Sequence, residues 1–312
     1  ADVEPDADGE LDADVDDCDP ADCDDGIECT RDGCRDGECH FEPWDDGCTS
    51  HEDLVCDPEE GCAHVMWVDC SCNPDRESCG DGTESSPYSS LDQAFDGSID
   101  NVLNVIRVAP VECEESSENF NHDLRRLVII GTPGPAVDDP ATEWRSDDDT
   151  ALTVSDNANV TIRDISIAAS KRSVSCEDSS ICSFERVVFR DSSEYGLRVK
   201  KNARAEVVRS VIRETGKAGV RLQDEAMVSM TNCLIVNNGT TDVGGIHADG
   251  SGRLSLSNCT IADNFGGTEP GGAKVEDTVV FVVRSTLFWN NRSTGADCQV
   301  CDGGSCLECT LG

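Results

Sequence analysis

Two short stretches, TNCLIVNN from Thr231 and SNCTIADN from Ser257, are near copies of each other and lie 26 residues apart. They belong to a longer series. The strongest aliphatic or aromatic residue of successive segments falls at Ile167, Phe189, Ile212, Ile235, Ile261 and Leu287, at spacings of 22, 23, 23, 26 and 26 residues. A repeat of this length without helical periodicity specifies a stacked solenoid, in which each unit buries its apolar face only against its neighbours.

Inside each unit the alternation has period two, as in a strand. One inward column reads Val160, Cys182, Ala205, Val228, Leu254, Val280, and the next Ile162, Phe184, Val207, Met230, Leu256, Val282. A column on another strand reads Val154, Cys176, Val199, Leu222, Ala248, Val275, Val300. Three strands per unit predict the rung of a parallel β-helix, with coils about 4.8 Å apart. A polar column at Ser170, Ser192, Thr215, Asn238, Asn264 and Asn290 predicts a side-chain ladder at one turn.

Ahead of the repeats the chain has two different compositions. Residues 1–17 hold no basic residue and almost no apolar bulk, which predicts an acidic tether. Asp6, Asp8 and Asp12 stand there at calcium-loop-like spacing, although Glu4 and Val15 occupy the positions where an EF-hand needs its end ligands. Calcium is the one cofactor this segment suggests. Residues 18–80 carry 11 of the 20 cysteines among Asp, Gly, Pro and Glu, and so cannot build a core without bridges. Eleven is odd, so one of these cysteines is expected to reach Cys113. His40, His51 and His64 offer a zinc alternative to disulfides.

The stretch CDDGIECTRDGCRDGECHF resembles a short Cys-rich repeat, C-DDG-CT-D-C-C-H, of slime-mould and bacterial surface proteins, which implies an extracellular spacer without chemistry. From residue 81, DGTESSPYSSLDQAF followed by VIRVAP and the solenoid repeats resembles secreted bacterial right-handed parallel β-helix proteins. The expected architecture is therefore all-β. A right-handed parallel β-helix of about seven to eight rungs spans 81–312, with an N-terminal helical cap and a Cys-rich C-terminal cap.

The resemblance implies no single activity, because the fold carries lyases, hydrolases and adhesins alike. Pectate-lyase-like members use clustered Asp for calcium with an Arg or Lys base, and polygalacturonase-like members use paired Asp with His-Gly and Arg-Lys motifs. No equivalent motif stands in this sequence. Outward acids such as Glu177 and Glu206 fall on different faces, and the acids at 138–139 and 147–149 lie in a Pro- and Ser-rich insertion.

One outward column does concentrate chemistry: Thr153, Ser175, Arg198, Arg221, His247, Lys274, Gln299. Arg198, Arg221, His247 and Lys274 are the candidate ligand- or partner-binding residues. They could pair with Asp224, Asp249 and Glu276, or receive an anionic glycan or the acidic tail of another copy. Cys233 and Cys259 share an inward column with Ile165, Val187, Ser210 and Ser285 and are expected to bridge, as are Cys176 and Cys182 across a corner. Cys298, Cys301, Cys306 and Cys309 predict a disulfide-tied end cap.

A net charge of −40, from 64 acidic against 24 basic residues, excludes nucleic acid and anionic membrane surfaces as partners. No apolar run is long enough to span a bilayer. The cysteine count and the start at Ala1 predict a mature secreted or surface protein. The sequence thus reads as a non-catalytic structural or adhesive element, self-associating or binding surface proteins or glycans. The rival is an acidic-polysaccharide-binding or lyase-like protein.

Overall fold

The computed structural model describes residues 23–35, 37–49, 53–72, 79–121, 126–136, 138–294, 300–302 and 305–307. The chain divides into two compact units, Ala1–Ala63 and His64–Gly312.

In the first unit there is little apolar bulk, and disulfides hold the chain: Cys23–Cys39, Cys29–Cys56 and Cys48–Cys62, with Cα separations of 5.3, 5.6 and 5.4 Å. Two short antiparallel pairs accompany them, Thr30–Arg35 with Glu38–Pro43 and Val55–Asp57 with the start of Gly61–Val68. The calcium expectation at Asp6, Asp8 and Asp12 lies outside the described residues, as does His51. His64 faces Asn104 at 3.4 Å rather than a thiolate.

The second unit is an all-β parallel solenoid. Its first sheet runs from His64–Val68, within strand Gly61–Val68, through Leu103–Val108, Arg126–Ile130 and successive coils to Val280–Arg284. A second sheet has eight strands, from Glu112–Glu115 to Leu287–Trp289, one per turn of the solenoid. A third runs from Glu118–Phe120 to Val300–Asp302, where Ser305–Leu307 folds back antiparallel. The helix Leu91–Asp96 is capped by Ser90, whose hydroxyl accepts from the Gln93 N–H at 3.2 Å. Its Leu91 and Ala94 are fully buried. Cys70 joins Cys113, the bridge that the odd cysteine count requires.

Alternation dictates the core. Leu127, Val160, Cys182, Ala205, Val228 and Leu254 stack inward on the first sheet, and Trp144, Ile167, Phe189, Ile212, Ile235 and Ile261 on the second. Between these two sheets each of the six coils from Asn159 onward turns on one left-handed residue: Asp164, Arg186, Arg209, Asn232, Asn258 or Ser285. Asn and Asp tolerate that conformation better than other residues with a side chain.

The polar ladder is buried. Asn238 Nδ2 donates to Asn264 Oδ1 at 3.0 Å, and Asn264 Nδ2 to Asn291 Oδ1 at 2.9 Å. Thr215 Oγ1 donates to Asn238 Oδ1 at 3.0 Å.

Two registers of the last coils differ from the sequence reading. Leu254 pairs with Phe281, Leu256 with Val283, and Ile261 with Phe288, one residue beyond Val280, Val282 and Leu287. Asn291 replaces Asn290 in the ladder, and Thr286 replaces Ser285 beside Cys259. The run Val279–Val283 is apolar at every position, so alternation cannot fix its register. On the third sheet Lys274 pairs with Cys301 and Val275 with Asp302, so Gln299 and Val300 are not their partners.

Candidate functional site

The outward column on the third sheet is real: Ser175, Arg198, Arg221, His247 and Lys274 stack in register on five successive coils. Cations one coil apart, about 4.8 Å, repel by roughly 0.9 kcal/mol even in water. A second column two residues further along each coil relieves this. It reads Glu177, Lys200, Gln223, Asp249 and Glu276, each N–H donating to the coil before it.

Arg198, Arg221 and His247 reach diagonally to the second column on the next coil, while Ser175 and Lys274 meet it on their own coil, at Glu177 and Glu276. Arg198 Nε donates to Gln223 Oε1 at 3.1 Å. Arg221 pairs with Asp249 and also donates to the carbonyls of Leu222 and His247 at 3.1 and 3.2 Å. His247 Nε2 meets Glu276 Oε2 at 2.8 Å. Lys274 Nζ lies 2.8 Å from Glu269 and 3.1 Å from Glu276, and Lys200 pairs with Glu177 at 2.7 Å.

The strip is recessed. Ser175 and Arg221 are buried, while Arg198, His247 and Lys274 are half-buried. Burial, reinforced by the Arg221 charge, pulls His247 below the usual imidazole range despite Glu276. Burial opposes ionisation of Glu276, but the bonds from His247 and Lys274 outweigh it and hold its carboxyl low. A neutral imidazole beside an ionised carboxylate donates Nε2–H, leaving Nδ1 as an acceptor. His247, Asp249 and Glu276 bring ligand atoms within 4.8 Å of one another. Arg221 and Lys274 already neutralise both carboxylates, so this donor set does not call for a metal.

Asp249 and Glu276 are the partners expected for the column; Asp224 is not, and accepts instead from the Lys201 N–H at 3.1 Å. Lys200 and Gln223 are not singled out by the sequence, and Glu177 only as a scattered outward acid, although period two from the first column points to all three. The strip is locally neutral: Arg198, Lys200, Arg221 and Lys274 are matched by Glu177, Asp249, Glu269 and Glu276. It therefore offers no excess positive charge to an acidic tail.

Among the cysteine expectations, Cys176 and Cys182 are joined across their corner. Cys233 and Cys259 are stacked as predicted but not bridged; both are buried free thiols. Identical positions on parallel coils point their Cβ atoms the same way about 4.8 Å apart, wider than the ~3.8 Å a disulfide needs. Cys233 Sγ lies 3.3 Å from the Val207 carbonyl, and its hydrogen bond to Cys259, then burial, push its thiol up. Cys301 and Cys306 are opposite each other in an antiparallel pair, and Cys298 and Cys309 lie outside the described residues.

A groove of about 490 Å³ runs over the outer face of the first sheet, between Ile181, Arg204, Met227 and Arg253. Among the described residues Arg204 and Arg253 make no ion pair, in contrast to the cations of the third sheet.

Residues 172–311 match a family model described as a right handed beta helix region. No curated protein matches the chain. Among solved structures, pectate lyase Pel9A is similar at 10% identity and a TM-score of 0.49, over 68% of this chain and 62% of that one. The pectin methylesterase from Aspergillus niger is similar at 14% identity and a TM-score of 0.45, over 75% of this chain and 92% of that one. The chain thus spans less than two thirds of the pectate lyase. These likenesses are of fold.

Proposed function

We propose that this protein is a secreted or cell-surface β-solenoid that acts by presenting its outer faces, as a structural or adhesive element, and not by turnover. One observation carries this reading. The richest cluster of chemistry on the third sheet is a charge-balanced lattice spread over successive coils, in which Arg221, His247 and Lys274 already hold Asp249 and Glu276. Catalytic groups converge on one reacting atom; these converge on each other. The bridges of the first unit support an oxidising compartment, and among the described residues no helix is long and apolar enough to cross a membrane. Self-association into an extracellular assembly, or binding to surface proteins or glycans, follows from the same reading. Electron microscopy and sedimentation of the full chain test it: particles that stay monomeric and bind no cell-surface material refute it.

A second reading is favoured by the His247–Glu276 pair. A neutral imidazole oriented by a carboxylate, with Arg221 beside it, has the parts to move a proton from an acidic sugar and to offset charge nearby. Incubation with a panel of acidic polysaccharides, read as new reducing ends and unsaturated products, decides between the two. Turnover that is lost in His247→Ala establishes the second reading and removes the first.

A further inference from the structure

The three sheets do not end alike. The third continues past Ala273–Val275 into Val300–Asp302 and is closed by the antiparallel strand Ser305–Leu307. The first and second stop at Val280–Arg284 and Leu287–Trp289, and no strand among the described residues pairs with either on its far side. The inward side chains show the difference. Leu254, Leu256 and Ile261 are at most 1% exposed. Their partners on the last coil are not covered: Val283 is 41% exposed, and Phe281 and Phe288 are half-buried.

The backbone is open at the same place. The Val280 N–H donates to the Gly252 carbonyl, and the Arg284 carbonyl accepts from the Asn258 N–H. Val280, Val282 and Arg284 therefore bond back to the preceding coil, and alternation along the strand turns the N–H and C=O groups of Phe281 and Val283 off the end. An edge with unpaired backbone groups and uncovered apolar side chains is a template for another strand.

Charge narrows the partner. No acid stands between Asp277 and Asp297, the longest acid-free run in a chain with 64 acids. The run carries Arg284 and Arg292, and neither makes an ion pair among the described residues. An acidic strand meets no like charge on this coil. The chain itself supplies one by sequence: every even position from Asp2 to Asp16 is acidic, and no odd position from Ala1 to Val15 is. A plain solvated tether has no need of strict alternation. Laid out as a strand, this segment has one acidic face and one apolar or small face, on which Leu11, Ala13 and Val15 follow one another.

We propose that residues 2–16 of one copy add as an edge strand to Val280–Arg284 of a second copy, with Leu11, Ala13 and Val15 over Phe281 and Val283 and the acids outward beside Arg284. The proposal rests on the self-associating reading above and names its interface. The chain enters the first sheet at His64–Val68, eight strand spacings, about 40 Å, from the open edge. A contact between two different surfaces is heterologous, so copies joined in this way can repeat as a filament.

Two full-length variants separate the halves of the contact. Leu11→Asp with Val15→Asp removes the apolar face of the segment and leaves the solenoid untouched. Val283→Pro removes an N–H that makes no hydrogen bond among the described residues, on an edge where proline is tolerated, and blocks an added strand. Circular dichroism checks that both keep the native fold. Sedimentation velocity of the native chain should show multimers that grow with concentration, and each variant alone should be monomeric. Their mixture should give dimers and nothing larger, because one variant keeps only a working edge and the other only a working segment. Multimers that persist in Leu11→Asp with Val15→Asp, or a mixture that stays monomeric, overturn this interface while self-association of the native chain still stands. A monomeric native chain overturns it too. If its unfolding midpoint then falls in Leu11→Asp with Val15→Asp, the segment covers the edge of its own copy instead.

Discussion

Asn264→Ala should be among the most damaging polar substitutions in the solenoid. The buried side chain makes bonds in both directions along the ladder. Its Oδ1 accepts from the backbone N–H and the Nδ2 of Asn238, both at 3.0 Å. Its Nδ2 donates to the Ile235 carbonyl and to Asn291 Oδ1, both at 2.9 Å. After truncation Asn238 Nδ2 keeps the Ile212 carbonyl and Asn291 keeps the Asn264 N–H. The Asn238 N–H and the Ile235 carbonyl lose these bonds in a dry interior. At ~1–3 kcal/mol for each stranded buried group, the expected loss is about 2–6 kcal/mol. Asn290→Ala, one residue from the ladder and exposed, gives up a bond to Asp263 and a left-handed backbone (φ 51°) that Asn tolerates better than Ala, and should cost only about 1 kcal/mol. Guanidinium unfolding followed by tryptophan fluorescence, disulfides intact, measures both variants against the native chain. Equal and small effects would show that the ladder is not a stabilising network. A large effect for Asn290 with a small one for Asn291→Ala would overturn the register of the last coil.

Unfolding without reductant should expose the thiols of Cys233 and Cys259 to alkylation, while Cys176 and Cys182 stay linked in one peptide; a Cys233–Cys259 peptide by mass spectrometry would refute the stacked-thiol arrangement. Asp249→Ala strips the charge partner from Arg221, a side chain only 8% exposed. It should cost roughly 1–3 kcal/mol, below a fully buried pair because Asp249 is partly solvated; no change in denaturation midpoint would show that solvent already serves Arg221. The pH dependence of His247 has a fixed sign. Its folded pKa lies below the unfolded value of 6.5. Between the two, the unfolded chain binds more protons, so stability rises with pH across this window, is complete above 6.5, and is lost as pH falls. His247→Gln should flatten that part of the profile, and an unchanged slope would remove His247 as its source.

The parallel coils and the charged column were legible because strands alternate and the column carries side chains of one kind. Arg198, Arg221, His247 and Lys274 fall two residues before Lys200, Gln223, Asp249 and Glu276, so the companion column was equally readable once strand period was applied to the outer face. The last coil was not. Val279 to Val283 offers no polar residue to mark which face is out, and only backbone pairing places Phe281 and Phe288 inward. The Cys233–Cys259 stack was read correctly, but whether sulfur atoms join depends on the direction of Cβ vectors, which a column alignment does not contain. Glu118, a buried acid at the head of an inward column, was invisible for a different reason. Its column begins before the repeats become regular, and a lone acid in SSENFNH gives no sign that Leu152 stacks on it.

The distribution of charge explains how so acidic a chain keeps its coils in register. The cations of the solenoid are used mostly one coil apart: Lys171 pairs with Asp149, Arg186 with Asp164, Lys201 with Asp178, Lys217 with Glu194 and Arg209 with Glu185, at separations of 22 to 24 residues. Each exposed pair is worth only ~0–1 kcal/mol, so their sum is a weak account of stability. Their geometric effect is larger than that sum suggests. A slip of one residue shifts a strand by about 3.3 Å and turns its side chains to the other face, which breaks every such pair on the coil at once. Pairs, buried ladder and apolar columns therefore reject the same slipped structures by independent means. The coil of Val280–Arg284 has no such pair on its outer face among the described residues, and there the sequence pattern leaves the register open.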